Sequence, residues 1–292
     1  MEIQITPLSD ACGAEVLGLD LRAPLSETMV ADLDQAFLAH GVLLFREQPL
    51  SPPELVRFAR QFGELQPHVQ RAYQHPEAPE IVIMTNRKAD GSFDDVGARR
   101  GAIEDPRDGW HSDLSYDPKP AKATLLHAVE IPSEGGNTCF ANVYAAYESL
   151  PEDLKTEIAG LEAEFRLGHG MRNPLGAKAA ENLDEAGKRS MAVHPVVNAH
   201  PETGRPAIYV NPLITSHVLG VSEARSEALL DVLFDAIDDP RHHWEHQWTV
   251  GDTLMWDNRG GIMHCGRLDY PRDQARRFIR TTVQGGPTEA FG

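Results

Sequence analysis

The chain has 292 residues, 41% of them hydrophobic and 24% charged, which suffices for a sizeable buried core and fits a single domain spanning 1–292. A formal net charge of −17 repels phosphate backbones and anionic lipid, so no nucleic-acid partner and no membrane are expected, and a small molecule is the expected substrate. Three widely spaced cysteines (Cys12, Cys139, Cys265), no signal peptide and no apolar run of membrane-spanning length predict a reduced, cytoplasmic protein without disulfides.

The first elements are short strands over 3–5 and 15–17. Val30, Leu33, Phe37 and Leu38 recur at helical spacing and predict a helix over 26–40. Gly41 ends it, and a buried strand follows over 42–45. A second helix is predicted over 51–63. Ser51 is its N-cap, Pro52 its first residue, Glu54 completes a capping box and Gly63 stops it. The part up to about residue 65 is thus helical. Beyond it, strands are predicted over 81–84, 123–129, 193–197, 207–211, 253–256 and 278–283. Residues 200–205 form a turn, helical segments occupy about 143–161, with Pro151 at a helix start, and 222–238, and the polar stretch 169–188 is expected to be a mobile loop. Many short strands with helices packed outside predict a mostly β fold, a sandwich or jelly roll.

The chemistry starts at Trp110-His-Ser-Asp113. On a strand, His111 and Asp113 project to the same side. One imidazole and one carboxylate, with a second imidazole from elsewhere, make the facial triad of a non-haem Fe(II) site. Alone, His-x-Asp equally describes a surface histidine beside an aspartate. Downstream, Trp256-Asp-Asn-Arg259 leads through a glycine-rich bend to His264. Arg276 and Arg280 then lie four apart on the terminal strand, and a guanidinium can grip the distal carboxylate that a 2-oxoglutarate site must hold. Two other readings stay open. His242-His-Trp-Glu-His246 fits the H-x-x-E-H pattern of a zinc hydrolase, with Glu245 as base between His242 and His246 on a helix. The chain could also be a non-catalytic binding protein of the same fold.

Several segments together carry a resemblance: Gly41-Val-Leu-Leu-Phe-Arg46, Phe58-Ala-Arg-Gln-Phe-Gly63, Trp110-His-Ser-Asp113, Gly135-Gly-Asn-Thr138, His200-Pro-Glu-Thr-Gly-Arg205 and Trp256-Asp-Asn-Arg259. The sequence resembles the taurine dioxygenase and 2,4-dichlorophenoxyacetate dioxygenase family over nearly its whole length. That resemblance implies a double-stranded β-helix and an oxidoreductase that uses Fe(II), 2-oxoglutarate and O₂. It implies that His111, Asp113 and His264 bind iron. It assigns Thr138 and Arg280 to 2-oxoglutarate, and Arg276 to a second arginine position that the adjacent Arg277 could also fill. His68 matches a histidine that contacts substrate. Arg107 stands where taurine-using members have an asparagine facing the substrate, a departure that points away from taurine; its other reading is a surface pair with Glu104 or Asp105. Tyr73 and the loop 211–217 are expected at the pocket. The expected reaction is hydroxylation of a C–H bond in a small anionic organic substrate, with succinate and CO₂ as coproducts, in a homodimer or tetramer.

Overall fold

The computed structural model describes residues 3–67, 73–76, 78–100, 102–173, 183 and 185–292. Period-two alternation sorts its apolar side chains into layers. In the strand Val42–Phe45, Leu43 and Phe45 face one core while Val42 and Leu44 face another. Leu125 and Leu126 divide the same way in Ala121–Glu130, Met255 and Trp256 in Thr253–Asp257, and Ile279 and Phe278 in Arg277–Gln284. These four strands are therefore buried on both faces. They form the middle of an eight-stranded sheet in the spatial order Gln4–Pro7, Ala14–Leu17, Val42–Phe45, Thr253–Asp257, Ala121–Glu130, Arg277–Gln284, Ala78–Thr85, Gln74–His75.

The facing sheet has the order His243–His246, Thr138–Asn142, Ile262–Arg267, Ala102–Ile103. Phe140 and Ile262 from this sheet fill the space against Trp256, Leu254 and Phe278 of the larger one. Together the two sheets are a double-stranded β-helix, as expected. The larger sheet's outer face is covered by the helices Glu27–His40 and Pro52–Ala59, through Leu33, Phe37, Leu55 and Phe58. Phe58 packs edge-on against both Phe45 and Phe62, with centroids 5.4 Å away in each case. Burying such a ring contributes about 2–3 kcal/mol. A third apolar cluster joins the helices Glu223–Ile237 and Val143–Glu148 to Met263 and Cys265 on the smaller sheet.

The helix starts follow their cap residues. Ser26 Oγ accepts from the Met29 N–H, and Ser222 Oγ from the Arg225 N–H. Glu54 reaches back to accept from both the N–H and the hydroxyl of Ser51. Three expectations change in detail. The helix over 51–63 is α-helical only over Pro52–Ala59 and closes with a tighter turn over Arg60–Phe62. The helix over 143–161 is two, Val143–Glu148 and Glu152–Ile158, because Pro151 bars helical backbone at the residue before it and itself caps the second. The strand over 193–197 is split between Met191–Pro195, paired with Glu162–Arg166, and Val197–Ala199, paired with Pro206–Ile208 across the 200–205 turn. All three cysteines are free and buried. Of the stretch 169–188, residues 174–182 and 184 lie outside the described residues, and Glu185–Lys188 is a short helix. No helix among the described residues is long and apolar enough to cross a membrane.

Candidate metal and cosubstrate site

His264 lies in the strand Ile262–Arg267, and His111 pairs with it as an isolated antiparallel bridge. Each backbone N–H donates to the other's carbonyl, at 3.1 and 3.0 Å. The strand expected over His111–Asp113 is therefore a single bridge; Asp113 comes around a turn that continues through Leu114 at φ 58. A non-glycine residue in left-handed backbone is costly, and such strain concentrates at functional sites. The turn brings the Asp113 carboxylate to within 3.9 Å of His111 Nε2 and 3.7 Å of His264 Nε2. The three donor atoms lie within 4.8 Å of one another, and all three residues are buried. They form a group that could hold a metal ion, the one such group found among the described residues.

The hydrogen bonds fix the tautomers. His111 Nδ1 lies 2.7 Å from the Gly109 carbonyl, and His264 Nδ1 3.1 Å from the His111 carbonyl. A carbonyl oxygen only accepts, so each Nδ1 carries the proton. Each Nε2 then presents its lone pair towards Asp113, the orientation a metal ligand needs. Burial pushes the pKa of His264 down to about 3 and also lowers that of His111 against the pull of Asp113, so both rings are neutral at pH 7. Burial alone would favour a neutral Asp113. Arg280 outweighs it, with the two imidazoles and the Thr124 hydroxyl assisting, and the carboxyl stays well below the usual range. Thr124 Oγ1 donates to Asp113 Oδ2 at 2.6 Å, Asn258 Nδ2 donates to Thr124 Oγ1 at 3.0 Å, and the Asp113 N–H donates to Asn258 Oδ1 at 3.0 Å. One neutral–neutral–anionic donor set, each member oriented by a second partner, fits a divalent first-row metal.

Two cavities meet at this cluster. The smaller is lined by His111, His264, Thr138, Arg276 and Arg280, so the structure brings five of the predicted site residues together. The two arginines differ in their partners. Arg280 Nη2 lies 2.8 Å from Asp113 Oδ1, which puts its guanidinium at the metal cluster itself. Arg276 is buried and donates from Nε and Nη2 to the Gly136 carbonyl at 3.2 and 3.0 Å. No carboxylate pairs with it among the described residues, and burial lowers its pKa to about 10. Thr138 Oγ1 accepts from Trp248 Nε1 at 3.0 Å, which leaves its own hydroxyl proton available to an acceptor.

The larger cavity, about 280 Å³, contains His111, Asp113 and Arg280 together with Tyr73, Arg100 and Ile214. Tyr73 and part of the 211–217 loop are thus where the sequence led us to expect them. Arg107 is not brought to the site. It is exposed, and its guanidinium is 2.8 Å from Asp235 Oδ1 and 3.9 Å from Asp238 Oδ2, on the helix Glu223–Ile237 and at its end. It makes a surface pair, with Asp235 128 residues away rather than with Glu104 or Asp105, although its backbone N–H does donate to Asp105 Oδ1. His68 lies outside the described residues.

The zinc-hydrolase reading is overturned. Residues His243–His246 form a strand, so His242 and His246 do not share a helical face. His246 Nε2 is committed to Asp252 Oδ2 at 3.1 Å, and Glu245 to the Asn137 amide at 2.6 Å. The sequence reading missed Thr124 and Arg100. A lone threonine inside an apolar strand, and the second of two adjacent arginines, carry no pattern that marks them.

The family described as taurine catabolism dioxygenase TauD, TfdA family matches residues 4–282. The chain is 33% identical to an alpha-ketoglutarate-dependent 2,4-dichlorophenoxyacetate dioxygenase of Cupriavidus pinatubonensis, over 97% of this chain and 98% of the relative. It is 32% identical to pentalenolactone F synthase of Streptomyces avermitilis, over 97% and 94%. Among solved structures, AAD-2 in complex with Mn(II) and N-oxalylglycine superposes with a TM-score of 0.84 at 29% identity, over 100% of both chains. A taurine dioxygenase from Burkholderia xenovorans superposes with 0.80 at 30% identity, over 99% of this chain and 91% of the other. With the donor set and the paired cavities, these matches make the chain a member of the TauD/TfdA family, an α-ketoglutarate-dependent dioxygenase that uses Fe(II), 2-oxoglutarate and O₂.

Proposed function

We propose that the enzyme hydroxylates a C–H bond of a small, anionic organic molecule, forming succinate and CO₂ alongside the product. The observation that carries this is a neutral-His, anionic-Asp, neutral-His cluster shared by one cavity with a carboxylate-free buried arginine and another large enough for a small molecule. His111 Nε2, His264 Nε2 and the Asp113 carboxylate would hold Fe(II). When bound, the metal with 2-oxoglutarate and O₂ supplies the oxidising power for the C–H bond.

The residues of this chain do the rest. Arg276 is a buried cation lacking an anionic partner among the described residues, a costly arrangement unless an anion arrives. Together with the free Thr138 hydroxyl it is the better partner for the distal carboxylate of 2-oxoglutarate. Arg280, assigned to that carboxylate on sequence, is held instead against Asp113, where it keeps a metal-binding carboxylate ionised. The Gly109 and His111 carbonyls keep protons on the Nδ1 atoms, so both imidazoles meet the metal as bases. Leu114 and Ile214 give the cavity beside His111 and Asp113 apolar walls that disfavour water.

Anaerobically purified protein supplied with Fe(II), 2-oxoglutarate and then O₂ is expected to release succinate, stimulated by small carboxylates or sulfonates and abolished in His111→Ala. Absence of succinate together with failure to bind iron would overturn the reading. The two arginines separate by kinetics. Arg276→Gln is expected to raise the half-saturating 2-oxoglutarate concentration about 100-fold with iron affinity unchanged, since a charge-assisted contact contributes roughly 2–3 kcal/mol. Arg280→Gln is expected to weaken Fe(II) binding as well.

A further inference from the structure

Arg99 and Arg100 are adjacent, and the fold treats them oppositely. Arg99 turns to carboxylates, with Nε 3.2 Å from Asp95 Oδ2 and Nη2 3.1 Å from Glu104 Oε1. Arg100 has no carboxylate partner among the described residues. Its guanidinium carbon lies over the Tyr73 ring, 3.3 Å from the centroid, half-buried on the wall of the cavity that contains His111 and Asp113. Its Nε is buried without a hydrogen-bond partner. A stacked guanidinium is fixed in orientation while its edge stays free for a planar anion. Of the three arginines on this cavity, Arg280 is balanced by Asp113 and Arg99 by two carboxylates, whereas Arg100 has no carboxylate within ion-pair distance among the described residues and is attracted by Asp94 only at longer range. The remaining walls include Val82, Met84, Ile103, Leu114, Leu213 and Ile214. They suit an apolar body, with Ser112, Tyr116 and Asn173 as further polar groups on the same lining.

We propose that Arg100, braced on Tyr73, is the anchor for the substrate's anionic end, and that the substrate is an organic monoanion with an apolar body held between Arg100 and the metal cluster. This rests on the dioxygenase reading above and names the substrate class for the same site. It replaces Arg107, which the sequence had suggested, with a residue seven positions earlier in the chain.

The test uses the full chain loaded with Fe(II) and 2-oxoglutarate, and paired probes that differ only in charge: 3-phenylpropanoate and 3-phenylpropanamide, hexanoate and hexanamide, and hexane-1-sulfonate. Succinate release and binding of each probe to the anaerobic complex are both measured. Acids are expected to bind and raise succinate release, and amides to do neither. Arg100→Gln is expected to raise the half-saturating acid concentration on the order of 10- to 100-fold, with the amides unaffected. Arg107→Gln removes the same charge from outside the cavity and is expected to change it less than 3-fold, a bound set by weak surface pairs. Arg100→Lys keeps the charge without the planar stack and is expected to fall between. Equal binding of acids and amides, equal effects of Arg100→Gln and Arg107→Gln, or a protein that turns over 2-oxoglutarate but responds to no acid would each overturn the proposal. Loss of iron binding and of all succinate in the unsubstituted protein would instead remove the dioxygenase reading beneath it.

Discussion

Single side chains around Asp113 show how much of the site is support rather than contact. Thr124 Oγ1 gives its proton to Asp113 Oδ2 and receives one from Asn258 Nδ2. Thr124→Val keeps the shape and removes both bonds, leaving the buried Asn258 amide unsatisfied. We expect about 1–3 kcal/mol lower stability and a 10- to 100-fold loss in Fe(II) affinity, read by denaturant melts and equilibrium dialysis. The metal donors themselves were legible, because His-x-Asp and a later histidine are stated in residue types that few other roles demand together. The supporting residues were not. Thr124 in a strand of Leu and Ala is an ordinary β-former until the fold sets Asp113 beside it. Arg99 and Arg100 are adjacent in sequence, and the positions of Asp95, Glu104 and Tyr73 tell their roles apart. Arg276 and Arg280 were found as a pair, and their division of labour came only from what each one touches.

Elements were legible where a local signal ends them. Gly41 has φ 70, donates its N–H to the Phe37 carbonyl and closes the helix Glu27–His40 before Val42–Phe45 begins. An added Cβ there would stand 2.5 Å from Ile262 Cγ1, two residues before His264. Gly41→Ala is therefore expected to cost about 2–3 kcal/mol from backbone strain and crowding, and to weaken iron binding through the displaced strand. A melt that moves while the iron isotherm stays put would confine the effect to the helix end. Elements were illegible where partners distant in sequence decide. His242 to His246 satisfies a helical zinc pattern in letters, yet His243–His246 pairs with Thr138–Asn142 and is a strand. His111 to Asp113 alternates like a strand, yet pairing with the strand of His264 stops after one residue and a turn presents the carboxylate.

Across the whole molecule, one buried ionic network ties the 200–205 turn to the end of a central strand. Asp257 accepts from His200 Nε2 at 3.2 Å and from Arg259 Nη2 at 2.6 Å, and Arg259 also pairs with Glu202. Burial would raise the Asp257 pKa, but the hydrogen bonds from His200 and Arg259 prevail and bring it down to about 2. The unfolded group titrates near 3.8. The ionised form thus contributes its stability fully above that pH and loses it as pH falls through about 2, an amount of about 2 kcal/mol. Asp257→Asn is expected to lower the unfolding free energy by about 3 kcal/mol at pH 7, because Arg259 loses its buried partner. The gap to the unsubstituted protein should narrow below pH 4. A constant gap down to pH 2 would show that the network contributes through packing instead. The layered β architecture was legible from the many short apolar strands with helices outside them, whereas this network was not, since His200, Glu202 and Arg259 read as turn residues until the turn closes on the sheet.

The reciprocal hydrogen bonds between His111 and His264 have a practical consequence. Both ligands are strung on one backbone bridge, with each ring steered by a main-chain carbonyl and the carboxylate tethered by Arg280 and Thr124. The polypeptide therefore remembers the coordination geometry by itself, and the ion is cargo rather than keystone. Stripping it with a chelator should leave the melting temperature within a few degrees of the loaded protein, and adding Fe(II), Mn(II) or Co(II) afterwards should refill the site without a refolding step. Losing the ion would then cost the enzyme its activity and not its fold.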